Sequence, residues 1–417
     1  MNLKKTDPGQ MDEFTGSLYR ILKEHRSLKQ LRYFVSQTLQ WYQHIRSGQI
    51  ENRVVILGTG IPEELVMGAG EIPGRILGGS HESCQWSDDL VPRDTDPVSR
   101  SMLGFLQCLN EDRDLLYIVP LYSDSMRKIA SQLIREGKKV FPVDFPPEKR
   151  MEHSRMIWSR QMIRMTETAA EHVHGKLTAS SMKAAIRLTS RARIALHEFS
   201  LTAPEHESLL SPAARILIRN SYYYAQDLAR WTQNLRKLME EMKQLSDRSG
   251  IREPDRPGIL LMGSPVYCPN DKIPRLLTES GLRIWRQADS SEYIQYIIPK
   301  IGRNGRNLRK MTEAVALTWY RADTSPAGLR NEVMRRKIRS LCRTGQLEGV
   351  VFHVLKGQIH PDFELSYYEG LLEKLHIPIF RLETDYQYQD VEQLRIRMEA
   401  FTEMLEQNRC HSAKEAV

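Results

Sequence analysis

The sequence predicts an α/β protein with two Rossmann- or flavodoxin-like parallel-sheet domains, a helical N-terminal segment and a helical block between the sheets. Three observations carry this reading. The run Val54-Val55-Ile56-Leu57 is short, apolar and β-branched, and passes directly into Gly58-Thr59-Gly60, the pattern of a buried parallel strand ending in a tight turn. The pattern returns at Gly258-Ile259-Leu260-Leu261-Met262-Gly263. Between the two, residues 151–248 carry almost no strand signal and many helix formers.

Taken in order, apolar and aromatic residues at helical spacing (Phe14, Leu18, Ile21, then Leu31, Phe34, Val35, Leu39) predict a helical segment over 1–50. After the strand at 54–57, Ile61 to Ala69 reads as a helix, with Pro62 in its first turn and Glu63 and Glu64 near its positive end. LLYIVPL at 115–121 and KVFPV at 139–143 read as strands around a helix at 125–136, which makes 51–150 a first α/β domain. Three or more helices fill 151–250, with Thr178 as an N-cap and Pro204 and Pro212 marking a turn. The second α/β domain, 251–417, takes the strand at 258–263 and a helix at 273–280. Further strands follow at 282–285, 349–354 and 377–382, with helices at 362–375 and 390–407. The two halves are too dissimilar in sequence to read as a repeat.

The chain has 417 residues, 41% hydrophobic and 27% charged, the balance of an ordinary globular protein. No apolar run approaches the ~20 residues that cross a bilayer, and the first residues lack a secretory h-region, so the cytoplasm is the expected compartment. Cysteines 84, 108, 268, 342 and 410 form no close pair, which argues against a disulfide framework or a compact zinc site. The net charge of +8 suits a phosphate-bearing partner, either nucleic acid or coenzyme A. The charge is spread out, however, and its densest stretches, 300–310 and 335–339, read as solvated helix faces and loops. Gly302-Arg303-Asn304-Gly305 has the outline of a nucleic-acid-clamping GxxG loop without the rest of that module, so nucleic acid is not the expected partner. HExxH, GxSxG and P-loop motifs are absent from the sequence. Gly58-Thr59-Gly60 opens like a dinucleotide fingerprint, but Glu63 replaces its third glycine and would repel a pyrophosphate. A structural turn is the better reading.

Four segments resemble one family. They are 54–73, with GTGIPEELVMGAGEIPGRILGG from Gly58; 117–128, within LLYIVPLYSDSMRK from Leu115; 259–279; and 349–405, with GVVFHVLKGQIHPDFE from Gly349 and IPIFRLETDYQYQDVEQLRIRMEAFTEML from Ile377. Over roughly 50–407 the chain resembles subunits of the 2-hydroxyacyl-CoA dehydratases and benzoyl-CoA reductases, of the 2-hydroxyglutaryl-CoA dehydratase D-component type. The resemblance implies oxygen-sensitive radical chemistry on acyl-CoA thioesters, a homologous partner subunit, and a [4Fe–4S] cluster held by cysteines at strand ends. Here the cysteine positions hold Asp96 (before Pro97-Val98-Ser99-Arg100-Ser101), Ser123 (before Asp124) and Gln358 (after Lys356-Gly357). A fourth landmark, Ala288-Asp289-Ser290-Ser291-Glu292, also lacks the family's cysteine. Iron–sulfur clusters are held by soft thiolates, which carboxylate, hydroxyl and amide do not replace.

The expectation is therefore a non-redox paralogue with no metal and no cofactor of its own, forming a heterodimer with a cluster-bearing homologue and facing an acyl-CoA. Its expected binding residues are Asp96, Ser123 and Gln358, joined by Glu64 and Lys128. Two alternatives stay open. One is an active iron–sulfur dehydratase subunit with unusual ligands, drawing on Cys84, Cys268 and a third sulfur. The other is a regulatory protein for a phosphate-rich ligand. His353 and His360 flank Gln358 as satisfied or solvated histidines placed to line the same pocket.

Overall fold

Two four-stranded, all-parallel sheets carry the architecture. The computed structural model describes residues 12–109, 113–250, 253, 255–300, 307–322, 328 and 331–415. The first residues of the chain and the GxxG loop at 302–305 lie outside the described residues.

The N-terminal segment is two helices, α1 (Glu13–Glu24) and α2 (Leu31–Arg46). Asp12 caps α1 by accepting the Thr15 N–H at 2.8 Å, and Phe14 stacks on Tyr42 with ring centroids 4.3 Å apart. β1 (Val54–Leu57) is buried along its length, as a strand covered on both faces must be. After it come α3 (Glu63–Gly68) and β2 (Gly74–Ile76). β2 was not legible in the sequence, because a three-residue GRI segment has no periodicity to read. α4 (His81–Gln85) and α5 (Pro97–Gln107) follow. They touch at Gly104, where an added Cβ would fall 1.8 Å from the Ser83 carbonyl oxygen. Then come β3 (Leu116–Pro120), α6 (Asp124–Arg135) and β4 (Lys139–Val143).

The helical block comprises α7 (Glu152–His172), α8 (Ala179–Thr202), α9 (Pro212–Tyr224) and α10 (Leu228–Ser249). Thr178 starts α8 in a reciprocal capping box with Ser181. Pro204 sits in the short 3-10 turn Ala203–His206, and Pro212 lies in the first turn of α9.

The second sheet runs through β5 (Gly258–Gly263), α11 (Lys272–Glu279) and β6 (Arg283–Asp289), then α12 (Leu308–Ala322) and α13 (Glu332–Cys342). It closes with β7 (Gly349–Leu355), α14 (Ile359–Glu373), β8 (Ile379–Thr384) and α15 (Val391–Glu415). The strand orders are β2-β1-β3-β4 and β6-β5-β7-β8. They are the same order, so the halves share a topology that their sequences conceal.

α1, α2, the first sheet, the helical block and α12 share one hydrophobic core. The second sheet instead has an apolar layer on each face. Ile259, Leu261 and Val351 pack towards α11 and α15, while Leu260, Met262 and Phe352 pack towards α13 and α14. Among the described residues, no helix is long and apolar enough to cross a membrane.

Candidate functional site

In an open parallel sheet, ligands collect at the carboxyl ends of the strands where the strand order reverses. Here the reversals fall between β1 and β3 and between β5 and β7. Both open on one cavity of about 500 Å³. Its walls include Thr59 and Gly60 after β1, Tyr122 and Ser123 after β3, Ser264 after β5, and Gln358 after β7.

Asp96, Ser123 and Gln358 all line this cavity. They share a second property: each is the N-cap of a helix, Asp96 of α5, Ser123 of α6 and Gln358 of α14. The positive ends of three helix dipoles therefore meet at the cavity wall. Asp96 Oδ1 accepts the Ser99 N–H at 3.0 Å, and Ser123 Oγ accepts the Met126 N–H at 3.2 Å. Gln358 makes no cap bond. Its Nε2 instead donates to Asp96 Oδ1 at 3.3 Å, and its Oε1 accepts from Ser264 Oγ at 2.8 Å. Gly357 permits this closeness. It has φ +84°, and an added Cβ would lie 2.6 Å from the Asp94 carbonyl oxygen.

The other two expected residues do not reach the cavity. Glu64 is fully buried beneath it in an ion network. Arg193 Nη1 donates to Glu64 at 2.5 Å, and Trp319 Nε1 donates to Glu64 at 3.0 Å. Neighbouring Glu63 accepts from Arg75 at 2.8 Å, Arg193 at 2.6 Å and the Tyr222 hydroxyl at 2.6 Å. Burial alone would raise the Glu63 pKa, but the Arg193 and Arg75 guanidiniums bring it below the usual carboxylate range. The network is structural: two buried carboxylates answer two buried guanidiniums. Lys128 is exposed on α6, whose buried face is Met126, Ile129, Ala130 and Leu133. Arg127, one residue earlier, lines the cavity in its place.

Of the two histidines, His360 lines the cavity and His353 does not. His353 is buried in β7, with Nδ1 3.2 Å from the Ser264 carbonyl oxygen and Nε2 unpartnered. Ser264 and Tyr122 were missed by the sequence reading. Their one available signal was position, just past Gly263 at the end of β5 and past Pro120 at the end of β3.

The cavity wall does not suit an iron–sulfur cluster, because it contributes no thiol. Cys84 and Cys268 are buried away from it. The Cys84 thiol lies 3.3 Å from the carbonyl oxygens of Ser80 and Pro97, and burial pushes its pKa up to about 12, away from the thiolate. Burial likewise raises Cys268. Among the described residues, no three His, Cys, Asp or Glu side chains are grouped to hold a metal ion.

A two-sheet α/β chain whose twin strand-order reversals share one cavity is the class that fold and site define. The profile of the family described as 2-hydroxyglutaryl-CoA dehydratase, D-component, matches residues 59–405, and the chain belongs to that family. It is 23% identical over 351 residues to the (R)-phenyllactyl-CoA dehydratase beta subunit of Clostridium sporogenes, covering 82% of this chain and 89% of that one. It is also 23% identical over 353 residues to the putative dehydratase subunit YjiM of Escherichia coli strain K12, covering 83% and 90%.

Proposed function

We propose that this chain is a non-redox subunit of a 2-hydroxyacyl-CoA dehydratase-type system, pairing with a homologous cluster-bearing subunit and offering its cavity to part of an acyl-CoA thioester. One observation carries the reading. At the three helix N-caps where the resemblance places cysteines, this chain has a carboxylate, a hydroxyl and an amide, and the amide is hydrogen-bonded to the carboxylate. Such groups hold a polar ligand by hydrogen bonds and do not store low-potential electrons. The converging helix N-termini favour an electron-rich oxygen such as a thioester carbonyl or a phosphate. Tyr122 and Phe145, in the same wall, supply apolar surface for an acyl group. A subunit that builds its cluster from Cys84, Cys268 and a third sulfur is disfavoured by the burial of both thiols and, among the described residues, by the lack of any three-ligand group.

The test is a tagged copy purified anaerobically from its source organism. The expected result is co-purification with a homologous, cysteine-bearing chain that holds all the iron. Recovery of the chain alone, or with iron bound to it after the subunits are separated, contradicts the proposal.

A further inference from the structure

A second cavity, of about 380 Å³, lies on the far side of the second sheet's edge strand and shares no wall with the first. It is enclosed by the end of α8, by α9, by β6 and by α13. Phe199, Ile284, Trp285 and Leu341 give it an apolar body. Into this body are set four cationic side chains, Arg215, Arg219, Arg286 and Lys337, against one carboxylate, Glu292.

Carboxylates behind the wall share these cations. Glu292 pairs with Arg219. Glu207 is shared between Arg215 at 3.4 Å and Arg256 at 3.9 Å, and Glu205 between Arg283 at 3.5 Å and Arg286 at 4.0 Å. Three carboxylates are thus ion-paired with five arginines, Asp289 and Glu253 lie close by, and among the described residues Lys337 meets the Gln287 carbonyl oxygen at 3.2 Å and the face of Tyr296 at 4.7 Å. Arg215 is 4% exposed, and its Nη1 has no hydrogen-bond partner among the described residues. The same holds for Trp285 Nε1 in the same wall. Burial pulls the Arg215 pKa down to about 10, as befits a cation whose counter-charge is incomplete. Buried cations ordinarily come paired, and surplus donors in an apolar cavity call for an anionic acceptor with an apolar body.

We propose that this cavity is a binding site for a small organic carboxylate with an aromatic or branched apolar group, its carboxylate among Arg215, Arg219 and Lys337 and its apolar group against Trp285 and Leu341. The inference rests on this cavity alone and is independent of the function assigned to the first.

Isothermal titration calorimetry of the full chain with 3-phenylpropanoate, its neutral amide and inorganic phosphate tests it. The carboxylate should bind at least about tenfold more tightly than the amide, since a charge-assisted pair is lost. It should also bind more tightly than phosphate, which lacks the apolar group. Val333→Trp, which fills the cavity from α13, should abolish binding, and Lys337→Met should weaken it, with thermal unfolding midpoints close to wild type. Ser123→Trp, which blocks the first cavity, should leave binding unchanged. Equal affinity for acid and amide, tighter binding of phosphate, no binding at all, or loss of binding in Ser123→Trp with retention in Val333→Trp would each overturn the proposal.

Discussion

Gln358 reaches across from the second sheet to the first, donating from Nε2 to Asp96 Oδ1 at 3.3 Å between residues 262 positions apart. The two residues occupy positions where the family resemblance expects cysteines. Ser264 accepts the Leu355 N–H at 2.9 Å and donates to the same glutamine, fixing its amide. The polar bridge thus joins two of the positions that, by the resemblance, would form a metal cage.

If these positions keep the outline of such a cage, restoring the thiols should restore its chemistry. The triple variant Asp96→Cys, Ser123→Cys, Gln358→Cys, reconstituted anaerobically with iron and sulfide, should take up about four irons per chain. Each single variant should take up little. Iron and sulfide assays beside a circular dichroism spectrum check this; a folded triple variant without iron would show that the three positions do not converge as a ligand set.

Gly357 should be irreplaceable at little more than a methyl group. Gly357→Ala forces a side chain at φ +84° against the Asp94 carbonyl. It should cost about 1–3 kcal/mol in a urea titration. A neutral result would mean that the loop shifts freely and that the Gln358–Asp96 bond is incidental.

The network under α3 makes a sharper demand on stability. Arg193→Met removes the guanidinium shared by Glu63 and Glu64 and should cost on the order of 3–5 kcal/mol, because buried carboxylates lose their counter-charge. Adding Glu64→Gln to Arg193→Met should recover part of the loss. Additive losses in chemical denaturation would show that the charges do not depend on one another.

His353 gives a pH dependence with a definite sign. Burial lowers its pKa from 6.5 to about 4, with Lys272 adding to the effect and the Ser264 carbonyl opposing it. Between those values the unfolded chain binds the proton and the folded chain does not. The contribution is therefore complete above pH 6.5 and is lost as pH falls towards 4, by on the order of 3 kcal/mol. His353→Gln should flatten this part of the stability–pH curve; an unchanged slope between pH 6.5 and 4 would assign it to other groups.

Much of this architecture was legible because local pattern and tertiary role coincide. Val54–Leu57 and Gly258–Gly263 are apolar runs closed by glycine turns, and both proved to be central strands. Asp96, Ser123 and Gln358 were grouped through the family resemblance, and each proves to stand where a strand or loop turns into a helix. Glu64 and Lys128 illustrate what sequence withholds. α3 is buried because α8 covers it, bringing Arg193 from 129 positions away, and no local pattern encodes that cover. Lys128 follows from the rotational phase of α6, in which Met126 and Ile129 face inwards and the lysine faces out. The basic run at 335–339 was read as a solvated face, and Arg336 and Arg339 are indeed exposed, yet Lys337 turns into the second cavity.

The most direct measurement is the iron and acid-labile sulfide content of this chain, purified anaerobically on its own and then reconstituted with iron and sulfide. The expected result is a colourless protein with far less than one iron per chain, before and after reconstitution. A brown protein holding about four irons and four sulfides per chain would contradict it.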